Sequence, residues 1–68
     1  MLKWKGSISE IKAKGKSISE ITIKWSLDDR HFNIIAYGGI INTAKRIEDA
    51  KKKAEMIDEQ QYQFFKKL

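Results

Sequence analysis

The spacing of apolar residues changes once along the chain, near Thr43. Before this point apolar and polar residues tend to alternate, as in residues 21–25 (ITIKW), and alternation places side chains on one face of a β-strand. After it apolar residues recur at steps of three or four, the spacing of one stripe along a helix. The pattern therefore predicts an α+β fold, with an antiparallel β-meander over about residues 2–42 packed against one long C-terminal amphipathic helix over about residues 44–67. The helical stripe consists of Ile47, Ala50, Ala54, Ile57, Phe64 and Leu68.

A short repeat indicates two strands near the N-terminus. Residues 6–11 (GSISEI) are followed ten residues later by residues 16–21 (KSISEI). The repeat fits the two strands of a hairpin with Lys14-Gly15-Lys16 as its turn. Each copy also matches a helix capping box, Ser-x-x-Glu. We favour strands, because the first copy is soon followed by a glycine and the second by β-branched residues.

The remaining strands are predicted from turn residues. The second strand spans about residues 17–26, and residues 27–30 (LDDR) form a turn because aspartates hydrogen-bond nearby backbone. The third strand begins at His31. Gly38-Gly39 then either closes a tight hairpin to a short fourth strand or forms a bulge in a longer third strand, so three or four strands are expected. Asn42 or Thr43 is predicted to cap the helix.

This order of elements is similar to that of the small DNA-binding domains of mobile-element integrases, in which a three-stranded antiparallel sheet packs on a C-terminal helix. The similarity covers residues 1–60 as an order of elements, and no sequence motif carries it. A shared order of elements is weak ground for function, so it assigns no family.

The length of 68 residues predicts a single small domain, residues 1–68, near the lower limit for one hydrophobic core. There is no cysteine, so neither a disulfide nor a thiolate zinc site reinforces the fold. Self-association or a partner is the expected source of further stability, and a homodimer is predicted. No apolar run approaches the roughly 18 residues of a membrane span, and residues 1–6 lack the apolar core of a signal peptide, so a cytoplasmic protein is expected.

The net charge of +5 is concentrated near the N-terminus, where residues 1–16 carry five lysines against Glu10 alone. Lysine is a hydrated point charge that suits phosphate, whereas base reading favours the planar fork of arginine. Trp4 lies between two lysines, a pattern that serves base stacking but that also fits a core tryptophan flanked by solvated lysines. The predicted nucleic-acid-binding residues are Lys3, Trp4, Lys5, Lys12, Lys14 and Lys16.

The sheet is predicted to carry apolar residues on both faces, and one helix covers only one of them. An uncovered apolar patch marks an interface. The alternative is a strand register shifted by one residue, which would move the same side chains into the core. Further aromatic residues lie near the C-terminal end of the predicted helix, beside its apolar stripe. The predicted interface residues are Ile18, Ile35, Tyr37, Tyr62 and Phe65.

Enzymatic chemistry is not expected. His31 lies near two aspartates in an Asp-Asp-x-His pattern, which ordinary turn aspartates explain without a metal. No phosphate-loop motif accompanies Gly38-Gly39, and no cofactor is predicted. Two functional hypotheses follow. The first is a basic nucleic-acid-binding accessory protein that acts through its N-terminal hairpin. The alternative is a phage or mobile-element protein that binds and modulates or inhibits a host protein through an uncovered sheet face or edge.

Overall fold

The structure, a computed structural model, describes residues 2–7 and 9–67. Each strand pairs antiparallel with the strand that follows it in sequence, so the sheet order equals the chain order. The α+β meander with a C-terminal helix is confirmed, but over residues 2–7 and 9–67 the sheet has five strands rather than three or four. Leu68, the last residue of the predicted stripe, lies outside the described residues, as do Met1 and Ile8. The elements are β1 (Lys5–Gly6), β2 (Glu10–Ala13), β3 (Ile21–Ser26), β4 (His31–Ala36), β5 (Gly39–Ala44) and α1 (Ile47–Lys66).

The predicted N-terminal hairpin differs from the observed one at its turn. Ala13 pairs with Ile21, so residues 14–20 form the connection and β3 begins four residues later than expected. The reason is that residues 16–18 direct their backbone N–H groups to a helix side chain rather than to a neighbouring strand. The short strand β1 then adds to the outer side of β2.

Gly38-Gly39 belongs to a hairpin, the first of the two alternatives. Ala36 pairs with Gly39, which leaves Tyr37 and Gly38 as the two central residues of the turn. Both have positive φ, 55° and 78°, as a type I′ turn requires. The fourth predicted strand therefore exists as β5, and it is longer than expected.

The predicted helix cap is wrong. Asn42 and Thr43 both belong to β5, which continues to pair with β4 as far as Ala44. The helix begins at Ile47, and Arg46 occupies the N-cap position without a side-chain hydrogen bond to the helix. Because Asn42 and Thr43 pair with β4, their side chains do not cap the helix.

The core lies between α1 and one face of the sheet. Ala50 and Ala54 are fully buried, and their small side chains allow the helix to lie close to the strands. A helix of 20 residues is about 30 Å long, whereas a six-residue strand spans about 20 Å, so the end of α1 extends past the sheet. Phe64 is consequently 63% exposed and does not extend the contact as predicted. The buried core cluster consists of Ile18, Ile21, Ile23, Ile34, Ala36, Ala44, Ala50 and Ala54.

Two residues expected on the uncovered face lie elsewhere. Ile18 is 1% exposed, because it belongs to the β2–β3 connection, which folds over the core. Tyr37 is in the β4–β5 turn, and its hydroxyl donates a hydrogen bond to Oε1 of Gln61 in α1 at 2.6 Å. Both placements were wrong because the strands are shorter than the alternation of apolar residues indicated: β3 begins after Ile18, and β4 ends before Tyr37.

Candidate nucleic-acid interface

The β1–β2 pair brings two lysines together. Lys5 lies directly opposite Lys12 in the antiparallel register, so both side chains project from the same face of the sheet. Residues opposite each other in such a pair have Cβ atoms about 5 Å apart, and like charges at that separation destabilise a sheet. An anion bound between the two ammonium groups would replace repulsion with attraction.

Four lysines line one concave region beside this strand pair, with a volume of about 570 Å³. Leu2 and Ala13 form its apolar part, and Glu20 is the acidic side chain among the residues that line it. Glu20 Oε1 lies 3.8 Å from Lys12 Nζ, and both side chains are more than half exposed, so this ion pair is weak. The region therefore keeps an excess of positive charge. We call it the N-terminal basic surface, defined by Lys3, Lys5, Lys12 and Lys14.

Lys16 does not join this surface. Its Nζ donates a hydrogen bond to Oε2 of Glu59 at 3.1 Å and lies 5.4 Å from the ring centroid of Tyr62. The hydrogen bond and the charge of Glu59 raise the pKa of Lys16. The ammonium group is thus turned towards α1, away from the other four lysines.

Trp4 is half-buried and packs against the core cluster. Its indole Nε1 is buried and has no hydrogen-bond acceptor among residues 2–7 and 9–67. This packing favours the interpretation of Trp4 as a core residue flanked by solvated lysines over that of a stacking platform for bases.

A buried carboxylate fixes the connection that follows β2. Asp58 of α1 is 2% exposed, and its carboxylate accepts hydrogen bonds from the backbone N–H groups of Lys16 at 2.8 Å, Ser17 at 2.9 Å and Ile18 at 2.9 Å. The Ser17 hydroxyl lies 3.1 Å from Oδ1 of Asp58 and 2.9 Å from its backbone carbonyl oxygen. We call this arrangement the Asp58 clamp, defined by Asp58, Lys16, Ser17 and Ile18.

The clamp keeps Asp58 ionised. Burial alone raises the pKa of this carboxyl, but the hydrogen bonds from the backbone of Ile18, Lys16 and Ser17, with the Ser17 hydroxyl, outweigh burial and hold the pKa below its ordinary value. No cation is needed, because several N–H dipoles converge on the charge. The clamp holds residues 16–18 against α1 and so fixes the chain shortly after Lys14.

Sequence reasoning missed Asp58, although a signal for it exists. Asp58 follows Ala50 and Ala54 at intervals of four residues, so it lies on the same face of the helix as two core alanines. A carboxylate on an apolar helix face requires hydrogen-bond donors from elsewhere in the fold, because burying an unpaired charge is costly. The backbone N–H groups of Lys16, Ser17 and Ile18 in the β2–β3 connection supply them, together with the Ser17 hydroxyl.

The other predicted interface residues remain at the surface. Ile35 pairs with Ile40 on the face that α1 leaves uncovered, and Ile40 is 61% exposed. At the end of α1, Tyr62 and Phe65 are exposed, and the ring of Phe65 contacts that of Phe64 edge to face at 5.7 Å. Their participation in an interface stays a prediction.

No three His, Asp or Glu side chains within residues 2–7 and 9–67 lie close enough together to hold a metal ion. Over the same residues, no helix has the length and apolar character that crossing a membrane requires.

No protein-family model, no curated protein and no solved structure matches this chain.

Proposed function

We propose that this chain is a small basic protein that binds the phosphate backbone of nucleic acid through the N-terminal basic surface. The observation that supports this proposal is the convergence of four lysines on one concave region, two of them directly opposite each other in the sheet. A pair of opposed like charges destabilises the free protein and is relieved by an anion. A phosphate group is an anion of suitable size and charge for such a pair.

Binding of this kind is independent of base sequence. The N-terminal basic surface contains lysines and no arginine, so it offers point charges rather than the planar fork that reads guanine. Phosphate contacts release condensed counterions, and the affinity then falls by about 0.9 log units per contact for each tenfold rise in salt. A strong salt dependence is the expected signature.

The Asp58 clamp contributes by ordering one of the four lysines. Lys14 lies between the end of β2 and the clamped residues 16–18, so both of its flanks are fixed before a ligand arrives. Less conformational freedom is then lost on binding, which improves affinity without a new contact.

A triple substitution tests the proposal. Lys5, Lys12 and Lys14 are changed together to Gln, and binding to a short fluorescent DNA duplex is followed by anisotropy over a salt series. We expect most of the affinity to be lost and the slope of log K against log salt to fall by up to about 3. The matched control changes Lys51, Lys66 and Lys67 to Gln, which removes the same charge from α1 and its C-terminal end. Equal losses in the two variants would show that only net charge matters and would contradict the proposed surface.

A comparison of Lys16 with Lys14, two residues earlier in the sequence, is a second test of where the binding surface lies. The Lys16 ammonium group is hydrogen-bonded to Glu59 and lies outside the N-terminal basic surface, so Lys16→Gln is expected to change the affinity much less than Lys14→Gln. A larger effect at Lys16 than at Lys14 would place the binding surface on the α1 side of the connection instead.

The second candidate function is protein binding, and the edge strand β5 is the observation that favours it. Edge strands are normally protected by charged residues or proline, because their outer N–H and C=O groups can pair with another chain. Residues 39–44 (GIINTA) contain neither, although Lys53 of α1 donates a hydrogen bond to the Thr43 carbonyl oxygen near the end of the strand. We propose a second copy of this chain as the partner, with the two β5 strands pairing antiparallel about a two-fold axis. A host protein is the alternative partner for the same edge.

A further inference from the structure

A second basic concave region lies at the opposite corner of the sheet. It is formed by the β3–β4 turn, the end of β5 and the first half of α1, and its volume is also about 570 Å³. The N-terminal basic surface lies where β2 ends and β3 begins, whereas this region lies at the other ends of the strands and towards the other edge. We call it the Arg30 groove, defined by Arg30, Lys45, Lys52 and Lys53.

Arg30 occupies a backbone position that suits glycine. Its φ is 56°, and its N–H donates to the carbonyl oxygen of Ser26 at 2.8 Å to close the turn. This left-handed region is unfavourable for a residue with a Cβ and free of strain for glycine. Among residues 2–7 and 9–67, the guanidinium of Arg30 forms no hydrogen bond or ion pair that would offset the strain. A strained residue whose side chain has no structural role indicates a functional one.

The acidic residues of the groove do not neutralise it. Asp29 and Asp49 line it against four basic side chains. Asp29 Oδ2 accepts a hydrogen bond from the Ser26 hydroxyl at 3.1 Å and lies 4.0 Å from Nε2 of His31, so it is already engaged inside the turn. Lys53 donates one hydrogen bond to the Thr43 carbonyl oxygen at 2.8 Å, which holds its ammonium group at the groove.

We propose that the Arg30 groove is a second phosphate-binding site, so that one molecule of this protein holds two nucleic-acid segments at the same time. The identity of the ligand rests on the function proposed above, but the residues are different. The planar guanidinium of Arg30 can donate two parallel hydrogen bonds to one phosphate group, and the lysines add charge around it. The N-terminal basic surface and the Arg30 groove lie at opposite corners and therefore receive separate segments.

A capture experiment tests the proposal. One DNA duplex is immobilised on beads, the protein is added, and retention of a second, fluorescent duplex from solution is measured at low salt. We expect the wild-type protein to retain the second duplex. The double substitution Arg30→Gly with Lys52→Gln is expected to bind the first duplex within a few-fold of wild-type affinity and to lose most of the retention of the second. Arg30→Lys, which keeps the charge but not the planar fork, is expected to retain an intermediate amount.

Arg30→Gly also separates binding from folding. Glycine relieves the positive φ and Lys52 is exposed, so Arg30→Gly and the double variant should both melt at the same temperature as the wild-type protein or higher while they bind less DNA. Loss of capture therefore cannot be assigned to unfolding. Unchanged capture by the double variant would overturn the inference, since a dimer with one site in each protomer would behave in that way. Wild-type protein that binds one duplex but never a second would overturn it and leave the proposed function standing, and wild-type protein that binds no duplex would refute both.

Discussion

Gly15 lies directly against the carboxylate of Asp58, although the two residues are far apart in sequence. A Cβ at position 15 would overlap the carboxyl group, within 2.7 Å of Oδ2. The N–H of Gly15 also donates to the carbonyl oxygen of Ile18 at 2.8 Å, so the glycine cannot move away without opening the connection. The requirement for glycine here is steric, because its φ is not in the left-handed region.

Gly15→Ala should therefore destabilise the protein. A methyl group would displace the Asp58 carboxylate from its donors, and overpacking of this kind costs about 1–3 kcal/mol. Gly39→Ala is the matched control, because a Cβ at Gly39 meets no atom of residues 2–7 and 9–67 within 4 Å. Chemical denaturation of both variants measures the difference. Equal free energies of unfolding for the two would show that the connection does not pack on Asp58.

Removing the carboxylate itself should have a larger effect. Asp58→Ala leaves the N–H groups of Lys16, Ser17 and Ile18 without their acceptor, and buried donors without a partner cost about 1–3 kcal/mol each before relaxation. We expect a loss of about 2–4 kcal/mol for Asp58→Ala and a smaller loss for Asp58→Asn, which keeps one acceptor oxygen. Thermal unfolding at neutral pH tests this order, and a neutral Asp58→Ala would refute the clamp.

The pKa of Asp58 predicts how stability depends on pH. A carboxyl whose pKa is lower in the folded than in the unfolded state adds stability above its unfolded pKa, about 3.9, and this contribution is lost as the pH falls through the folded pKa. We expect the wild-type protein to lose stability below about pH 4 more steeply than Asp58→Asn does. Parallel curves for the two proteins would show that Asp58 has an ordinary pKa.

The contact between α1 and the sheet can be tested at a small residue. Ala54 is fully buried, so Ala54→Leu should destabilise by about 1–3 kcal/mol through overpacking. Lys52→Leu introduces the same side chain at an exposed position of α1 and should be close to neutral. Equal shifts in melting temperature would mean that the helix does not dock through Ala54.

Self-association through β5 is tested by sedimentation. We expect a species of twice 7.9 kDa at micromolar concentration. Ile40→Lys places a charge on the edge strand and should convert the dimer to monomer, because charged residues prevent edge-to-edge pairing. Leu27→Lys, at an exposed position in the β3–β4 turn, is the control and should leave the dimer intact. A wild-type monomer would exclude the homodimer and leave the β5 edge to a host protein.

The order of strands and helix could be predicted from the sequence because alternation and helical spacing are local properties. Ile21 and Ile23 alternate into the core as expected, and Ala50 and Ala54 face the sheet. Strand ends could not be predicted in the same way, because they depend on competition between distant groups. Ile18 lies outside β3, because its N–H donates a hydrogen bond to the carboxylate of Asp58 rather than to a neighbouring strand.

The candidate site was predicted in part for the same reason. Lys5 and Lys12 share a surface because they are near in sequence and their strands pair. Lys16 was expected beside them, but its ammonium group donates a hydrogen bond to Glu59 of α1, which is far away in sequence. The Arg30 groove was not anticipated, since it combines a turn, a strand end and a helix face that no local pattern connects.

The pairing of every strand with its neighbour in sequence has a consequence for the order of folding. Such contacts close short loops and form early, whereas the contacts of Asp58 with residues 16–18 span about 40 residues and must wait until α1 docks. The β2–β3 connection should therefore be the last part to order and the first to open. Amide hydrogen exchange at Ser17 and Ile18 would then report undocking of the helix, while the central amides of β3 and β4 would report global unfolding.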